Sequence, residues 1–346
     1  MKTRITELFG IKYPILLSGM SWISTPALVA AVSNAGGLGV LATGPLNAAE
    51  TRKSINLIRK LTDKPFGANA SLLLAHSVEN AKVLLEEKVP VINFALGKGD
   101  WIVKAAHAYG GKVIATVVNS HHAKRAQDYG CDGIIVTGHE AAAHGGDVTT
   151  FVLVPGISAE LKVPVIVAGG IADGRGLAAA LALGADGVAM GTRWMMTKES
   201  PLHDNYKQLS LKTDIYTTLY SDRIDGMATR VLDTPAARSA AKKGFSLIEA
   251  FVSAKKATAG MDQSFTKLLI DSLSQGVKKS VQLAHLAIGG EAYRRATEEG
   301  NLATGVLPVG QNVGLIKDIP TAAYVMEQIV AEAKLIQKKM GNQLSD

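Results

Sequence analysis

The sequence predicts an α/β fold: a (β/α)8 TIM barrel with a smaller, mainly helical lid domain. Three observations carry this expectation. Eight short apolar or β-branched runs recur between Tyr13 and Met190, roughly every 20–30 residues, which is the period of a βα unit. The stretches between them are Ala-rich or charged, with helical spacing. Two joints also repeat one another: Gly130-Cys131-Asp132-Gly133-Ile134-Ile135-Val136 and Gly184-Ala185-Asp186-Gly187-Val188-Ala189-Met190. In each, a glycine ends a helix in the left-handed conformation, Asp-Gly turns the chain, and an apolar strand follows.

In chain order the predicted strands are Tyr13–Ser18, Leu38–Ala42, Phe66–Ala70, Val89–Ala95, Lys112–Val118, Gly133–Thr137, Val163–Ala168 and Gly187–Met190. From about Pro201 the beat stops, and Thr213–Thr218, Ala228–Ala241 and Ala257–Ala284 read as helices and loops. The segment Pro320–Met340 is an amphipathic helix, with Val325, Met326, Ile329, Val330, Ala333, Ile336 and Met340 on one stripe. That stripe is expected to dock on the barrel. The division is therefore a barrel over 1–205, completed by 303–346, with a helical lid over 206–302.

Composition narrows the function classes. The 346 residues suit one large α/β domain with an appendage, and with 5% aromatics the interior is built from Ala, Val, Leu, Ile and Gly. A single Cys131 excludes a disulfide framework and a cysteine-based zinc site, and fits a reducing compartment. The excess of 37 Lys+Arg over 30 Asp+Glu (+7) is scattered, without an aromatic-interleaved basic tract, so anionic small molecules are expected rather than nucleic acid. No secretory leader is visible and no apolar stretch approaches a membrane span. A cytoplasmic protein is expected, and a homodimer is left open.

Four motifs carry chemistry. Ala168-Gly169-Gly170 ends the seventh strand and Gly191-Thr192 the eighth. Barrels commonly bind a phosphate group at these two loops, where backbone N–H groups approach without side chains, and Asp173 is placed to cap the helix that follows. The bland reading is a pair of tight turns. Gly36-Gly37-Leu38-Gly39 is not a dinucleotide fingerprint, because a helix precedes it and a strand follows. After the sixth strand comes Thr137-Gly138-His139-Glu140-Ala141-Ala142-Ala143-His144. Its H-E-x-x-x-H spacing sets the two imidazoles about 140° apart on a helix, which argues against a shared zinc. No metal is expected. One imidazole at the barrel mouth would instead serve as an acid, base or hydrogen-bond donor, against the alternative of a structural loop histidine. At the first strand's end, Ser18-Gly19-Met20 lets backbone approach a flat ligand, and Asn69, an amide among apolar neighbours, offers a donor and an acceptor to a heterocycle.

With these residues in hand, the chain resembles the nitronate monooxygenase (2-nitropropane dioxygenase) family of FMN-dependent barrels, whose relatives include flavin-dependent enoyl-ACP reductases and NADH:quinone reductases. The resemblance runs through Tyr13 to Met20, Ala31 to Gly39, Leu61 to Asn69, the His144 loop, Ala168 to Gly176, Gly191-Thr192-Arg193 and Gly310 to Leu315. It implies FMN as cofactor. Ala168, Gly169, Gly170, Gly191 and Thr192 would hold its phosphate, Ser18, Gly19, Met20 and Asn69 would contact the isoalloxazine, and Thr137 would lie beside the ring. His144 matches the family's active-site histidine. The implied activity is oxidation of alkyl nitronates by O2 to carbonyl compounds and nitrite; the alternative is an NAD(P)H-dependent reductase of enoyl-ACP or quinones. The sequence departs from the family where Ala141-Ala142-Ala143 replaces Ala-Gly-Gly before the histidine, and where Thr116 stands in place of a lysine that some quinone-reductase relatives carry.

Overall fold

The computed structural model describes residues 1–73, 75–142, 144–242 and 277–345. Its centre is an eight-stranded parallel sheet in the order β1-β8-β7-β6-β5-β4-β3-β2, formed by β1 (Ile15–Leu17), β2 (Gly39–Leu41), β3 (Phe66–Ser71), β4 (Val91–Ala95), β5 (Lys112–Val117), β6 (Gly133–Thr137), β7 (Val165–Ala168) and β8 (Gly187–Met190). A parallel bridge between Leu16 and Leu38 joins β1 to β2 and closes the barrel. Each predicted strand coincides with an observed one, β3 running one residue further, to Ser71.

Seven helices follow the first seven strands: α2 (Pro26–Asn34), α3 (Ala48–Leu61), α4 (Ala75–Glu86), α5 (Asp100–His107), α6 (Ser120–Asp128), α7 (Thr150–Ser158) and α8 (Gly174–Ala182). The short α1 (Arg4–Phe9), set by a Thr3/Thr6 capping box, precedes them. The helix that completes the ring comes last: α13 (Ala322–Leu344) packs on α8 and α2, burying Val325, Met326, Ile329, Val330 and Ala333 as the apolar stripe predicts. Of that stripe, Met340 stays exposed. Between β8 and α13 lie α9 (Thr192–Met195), α10 (Asp204–Leu211), an antiparallel pair β9 (Thr218–Ser221) and β10 (Thr229–Leu232), α11 (Pro235–Lys242) and α12 (Val277–Thr297).

The antiparallel pair corrects the expectation of helices and loops at Thr218 and at Thr229–Leu232, whereas residues 213–217 are loop and Pro235–Lys242 is helix as expected. Thr-Leu-Tyr-Ser and Thr-Arg-Val-Leu are rich in β-branched and aromatic residues, and cross-strand pairing favours these over helix. The expected helix at Ala257–Ala284 falls largely outside the described residues.

Register shows which side chains enter the lumen. Leu16, Leu38, Val40, Val91, Ile114, Ile135, Ile166 and Ala189 form one apolar cluster inside the barrel, and Ile5, Phe9 and Ile11 join it from the N-terminal segment. The two repeated joints behave alike. Gly130 and Gly184 have φ of 87° and 98°, and the following Asp132 and Asp186 carboxylates accept from the N–H of Val113 and Val165. Cys131, between them, is buried, and burial pushes its thiol up to about 12, with the Asp132 charge adding to the shift. The native protein is therefore expected to resist iodoacetamide at mildly alkaline pH and to react only once unfolded; mass spectrometry of the alkylated protein checks this. Among the described residues no helix is long and apolar enough to cross a membrane.

Candidate active site

At the C-terminal ends of the strands the lumen turns polar. Pairing aligns Asn69 with Asn93, Asn93 with Ile114, Thr116 with Ile135 and Thr137 with Ala168. Because Ile114 and Ile135 belong to the lumen cluster, the period-two alternation of strands points Asn69, Asn93, Thr116, Thr137 and Ala168 to the same interior. Asn93 donates to the Thr116 hydroxyl at 2.9 Å. The sequence reading passed over Asn93, although an amide inside the apolar run Val91-Ile92-Asn93-Phe94 is the same signal that singles out Asn69.

Asn69 also braces the loop after β1. Its amide donates to the Gly19 carbonyl at 2.9 Å and accepts from the Thr43 N–H at 3.0 Å, so one N–H and one lone pair of the side chain remain for a ligand. A Cβ on Gly19 would collide with that amide. The buried Ser24 hydroxyl, another residue the sequence reading missed, donates to Ser18 O at 2.7 Å and accepts from Met20 N at 3.0 Å. Met20 in turn approaches β8, where a Cβ on Gly191 would lie 3.2 Å from its sulfur. Ser18, Gly19, Met20, Asn69 and Gly191 are thus brought together.

The loop after β7 holds two successive left-handed glycines, Gly169 at φ 114° and Gly170 at φ 75°. Residues with a side chain rarely adopt such angles, which is why glycine stands at both positions of this turn. Asp173 caps α8 as expected, accepting from the N–H of Arg175 and Gly176. The loops are stitched from a distant part of the chain. Gly310 N–H donates to the Thr192 hydroxyl at 3.0 Å, Gln311 N–H to Glu140 O at 2.9 Å, and Asn312 Nδ2 to Ile171 O at 2.7 Å.

The H-E-x-x-x-H segment sorts its residues. Glu140 is structural: its carboxylate accepts from the N–H and hydroxyl of Thr150 at 2.9 Å each, capping the N-terminus of α7. His139 closes the loop, with its N–H on Val148 O and Nδ1 at 3.0 Å from Gly146 O. Among the described residues no cluster suits a metal. His144 is the histidine left partly open, with its side chain 30% exposed and Nε2 at 2.9 Å from Asp225 Oδ2. The Asp225 side chain is 2% exposed. It also accepts from the Tyr293 hydroxyl at 2.9 Å and from Met227 N–H at 3.1 Å. Burial, reinforced by the Asp225 charge, holds the Tyr293 phenol well above its ordinary range, so it remains a donor at neutral pH. Neither Asp225 nor Tyr293 was singled out by sequence. Asp225 stands 81 residues from His144, close to Asp222, and no local pattern marks it. Ala143 lies outside the described residues.

The nitronate monooxygenase family model matches residues 2–84 and 71–332. A (3aS,4S,5R,7aS)-5-hydroxy-7a-methyl-1-oxo-octahydro-1H-indene-4-carboxyl-CoA dehydrogenase of Rhodococcus jostii is 38% identical over 340 residues, covering 96% of each chain. A nitronate monooxygenase of Paraburkholderia phytofirmans is 34% identical over 278 residues, covering 66% of this chain and 76% of that one. The structure of FabK from Thermotoga maritima superposes with a TM-score of 0.82 and 37% identity, covering 99% of this chain and 100% of the other. The barrel, the glycine loops at its mouth and the His144 segment all lie within the matched residues, and the chain is an oxidoreductase belonging to the nitronate monooxygenase family.

Proposed function

We propose that the protein is an FMN-dependent oxidoreductase acting on the carbon next to an acyl thioester, such as an acyl-CoA. The observation that carries this reading is the pair of His144 with buried Asp225. A nitronate is already a carbanion and needs no base to make it one. The α-carbon of a thioester is a neutral carbon acid, and its oxidation or the reverse reduction moves a proton at that carbon. With Nε2–H given to Asp225, Nδ1 is the nitrogen that takes or returns this proton, and the carboxylate stabilises the imidazolium formed. Tyr293 and Met227 fix the carboxylate in turn. The reading is supported by the CoA dehydrogenase name of a relative aligned over 96% of each chain.

The residues present fit FMN. The bare turn at Gly169-Gly170, with Ala168, Gly191 and Thr192, offers N–H groups and a hydroxyl to a phosphate monoester. The ring of Ser18, Gly19, Met20, Asn69 and Thr137 offers a small-residue and amide surface to a flat heterocycle. When bound, FMN would supply the two-electron acceptor or donor.

Nitronate oxidation is the second reading, favoured by relatives of that name. Anaerobic mixing of the FMN-loaded protein with butyryl-CoA, with NAD(P)H followed by crotonyl-CoA, and with propyl-2-nitronate separates the two. Bleaching of the flavin by the acyl-CoA, or its reoxidation by the enoyl-CoA, is the expected result. Flavin reduction by the nitronate, followed by nitrite release once O2 is admitted, with no response to either thioester, would overturn the thioester reading. Failure of the protein to take up FMN would overturn both.

A further inference from the structure

Three contacts run from one hairpin to one loop. Arg230, on β10, places Nε and Nη2 at 3.2 and 3.0 Å from the His139 carbonyl. Tyr220, opposite it on β9, donates its hydroxyl to the Gly145 carbonyl at 3.0 Å. Asp225, in the turn between the strands, takes His144 Nε2 at 2.9 Å. The His144 loop is therefore gripped at its entry, at its exit and at the imidazole by a single antiparallel pair.

The chemistry of the grip suits a loop that needs rigidity. Gly145 and Gly146 follow the histidine immediately, and glycines leave a backbone many alternatives to lose. Arg230 is 4% exposed and, among the described residues, has no carboxylate within ion-pair distance. Its guanidinium lies over the Tyr220 ring, 5.1 Å from the centroid, and the same ring meets His139 edge-on at 4.6 Å. A buried cation is costly unless something replaces water. Here the His139 carbonyl takes two N–H groups, Thr218 Oγ1 takes a third at 3.0 Å, and the aromatic face adds a cation–π contact. Burial and the nearby Asp147 charge raise the Tyr220 pKa, only partly offset by Arg230, so the phenol stays a donor at neutral pH. A charged donor on one loop carbonyl and a neutral one on the other fix the height and tilt from which His144 projects.

We infer that Tyr220 and Arg230 are positioning residues for His144: the β9–β10 hairpin is a template that presets the imidazole against Asp225. This inference deepens the thioester reading, since it concerns the same histidine, but its test does not depend on the substrate. Tyr220→Phe deletes only the hydroxyl and keeps the ring for Arg230 and His139; Arg230→Lys keeps a charge but loses the two-pronged contact.

The experiment is nitrogen NMR of histidine-labelled, full-length protein with FMN, titrated with pH, for wild type, Tyr220→Phe, Arg230→Lys and the control Tyr216→Phe. Tyr216 is 83% exposed. Both template variants are expected to change the His144 titration midpoint and tautomer ratio, with Tyr216→Phe unchanged. With whichever substrate is turned over, kcat of Tyr220→Phe falls about threefold to tenfold, the worth of one hydrogen bond, while KM and FMN affinity stay within about twofold. A wild-type His144 titration in both template variants would overturn the inference, as would a loss confined to FMN affinity. If Arg230→Lys fails to fold, Tyr220→Phe alone decides. A changed titration in a protein inert towards thioesters would uphold the template and sink only the substrate reading.

Discussion

His144→Ala is expected to lower turnover by about 10²–10⁴-fold, the range for a lost acid–base group, while leaving FMN binding close to wild type. The two effects separate because the glycine turns proposed to take the phosphate follow β7 and β8, whereas His144 is held from β9–β10. Titration with FMN and steady-state kinetics on the same preparation check both parts. Asp225→Asn is expected to cost about 10²-fold or more, because an amide cannot supply the negative charge behind the ring when the proton arrives. Tyr293 donates to Oδ2 and Met227 N–H to Oδ1, so the amide keeps an acceptor for one of them and turns an NH2 towards the other; circular dichroism of the variant separates this local cost from the lost charge. Equal loss of FMN binding and turnover in His144→Ala would show that the histidine serves the cofactor rather than the substrate.

Gly39→Ala is expected to be among the most destabilising single methyl additions in the chain. The new Cβ would fall inside the contact distance of the Val29 carbonyl oxygen and within 2.7 and 2.8 Å of Val29 C and Cα. These are backbone atoms of α2, which cannot swing aside as a side-chain tip can. The helix would have to lift off β2, at an expense of roughly 1–3 kcal/mol for overpacking. Urea denaturation followed by circular dichroism reads the change. Gly110→Ala, where nothing lies within 4 Å but φ is 83°, isolates the cost of the left-handed backbone alone, about 1 kcal/mol. The two variants therefore distinguish a steric from a conformational penalty.

The barrel was legible because its strands are short apolar runs at a regular beat, and because glycine ends its helices at recognisable places. Gly130 and Gly184 do what the repeated joint implies. The turn after β7 was legible in the same way, as its glycine pair Gly169-Gly170 adopts left-handed angles; its use for a phosphate belongs to the proposal. What escaped was chemistry shared between remote segments. Ser24 escaped for a nearer reason: it lies only four and six residues from Met20 and Ser18, but nothing in the local sequence marks its hydroxyl as their brace. Asp225 and Tyr293 acquire meaning only beside His144, and no period or cap relates the three. The two-histidine segment shows the limit most directly. Spacing argued against a shared metal, but only the contacts of His139 with Gly146 and of Glu140 with Thr150 show that two of its three polar residues hold the loop.

The tie made by Gly310, Gln311 and Asn312 sets an order of events in synthesis. All eight barrel strands are complete once Met190 has been made, yet the loops after β6, β7 and β8 take a common tie from residues about 120 positions beyond β8, and α13 fills the gap between α8 and α2 later still. A nascent chain therefore carries a full set of strands before the tie across its barrel mouth exists. Such long-range closure slows folding, since loop entropy must be lost before the contacts repay it. Capture of a ligand at these loops is expected only once that later segment has folded back onto them.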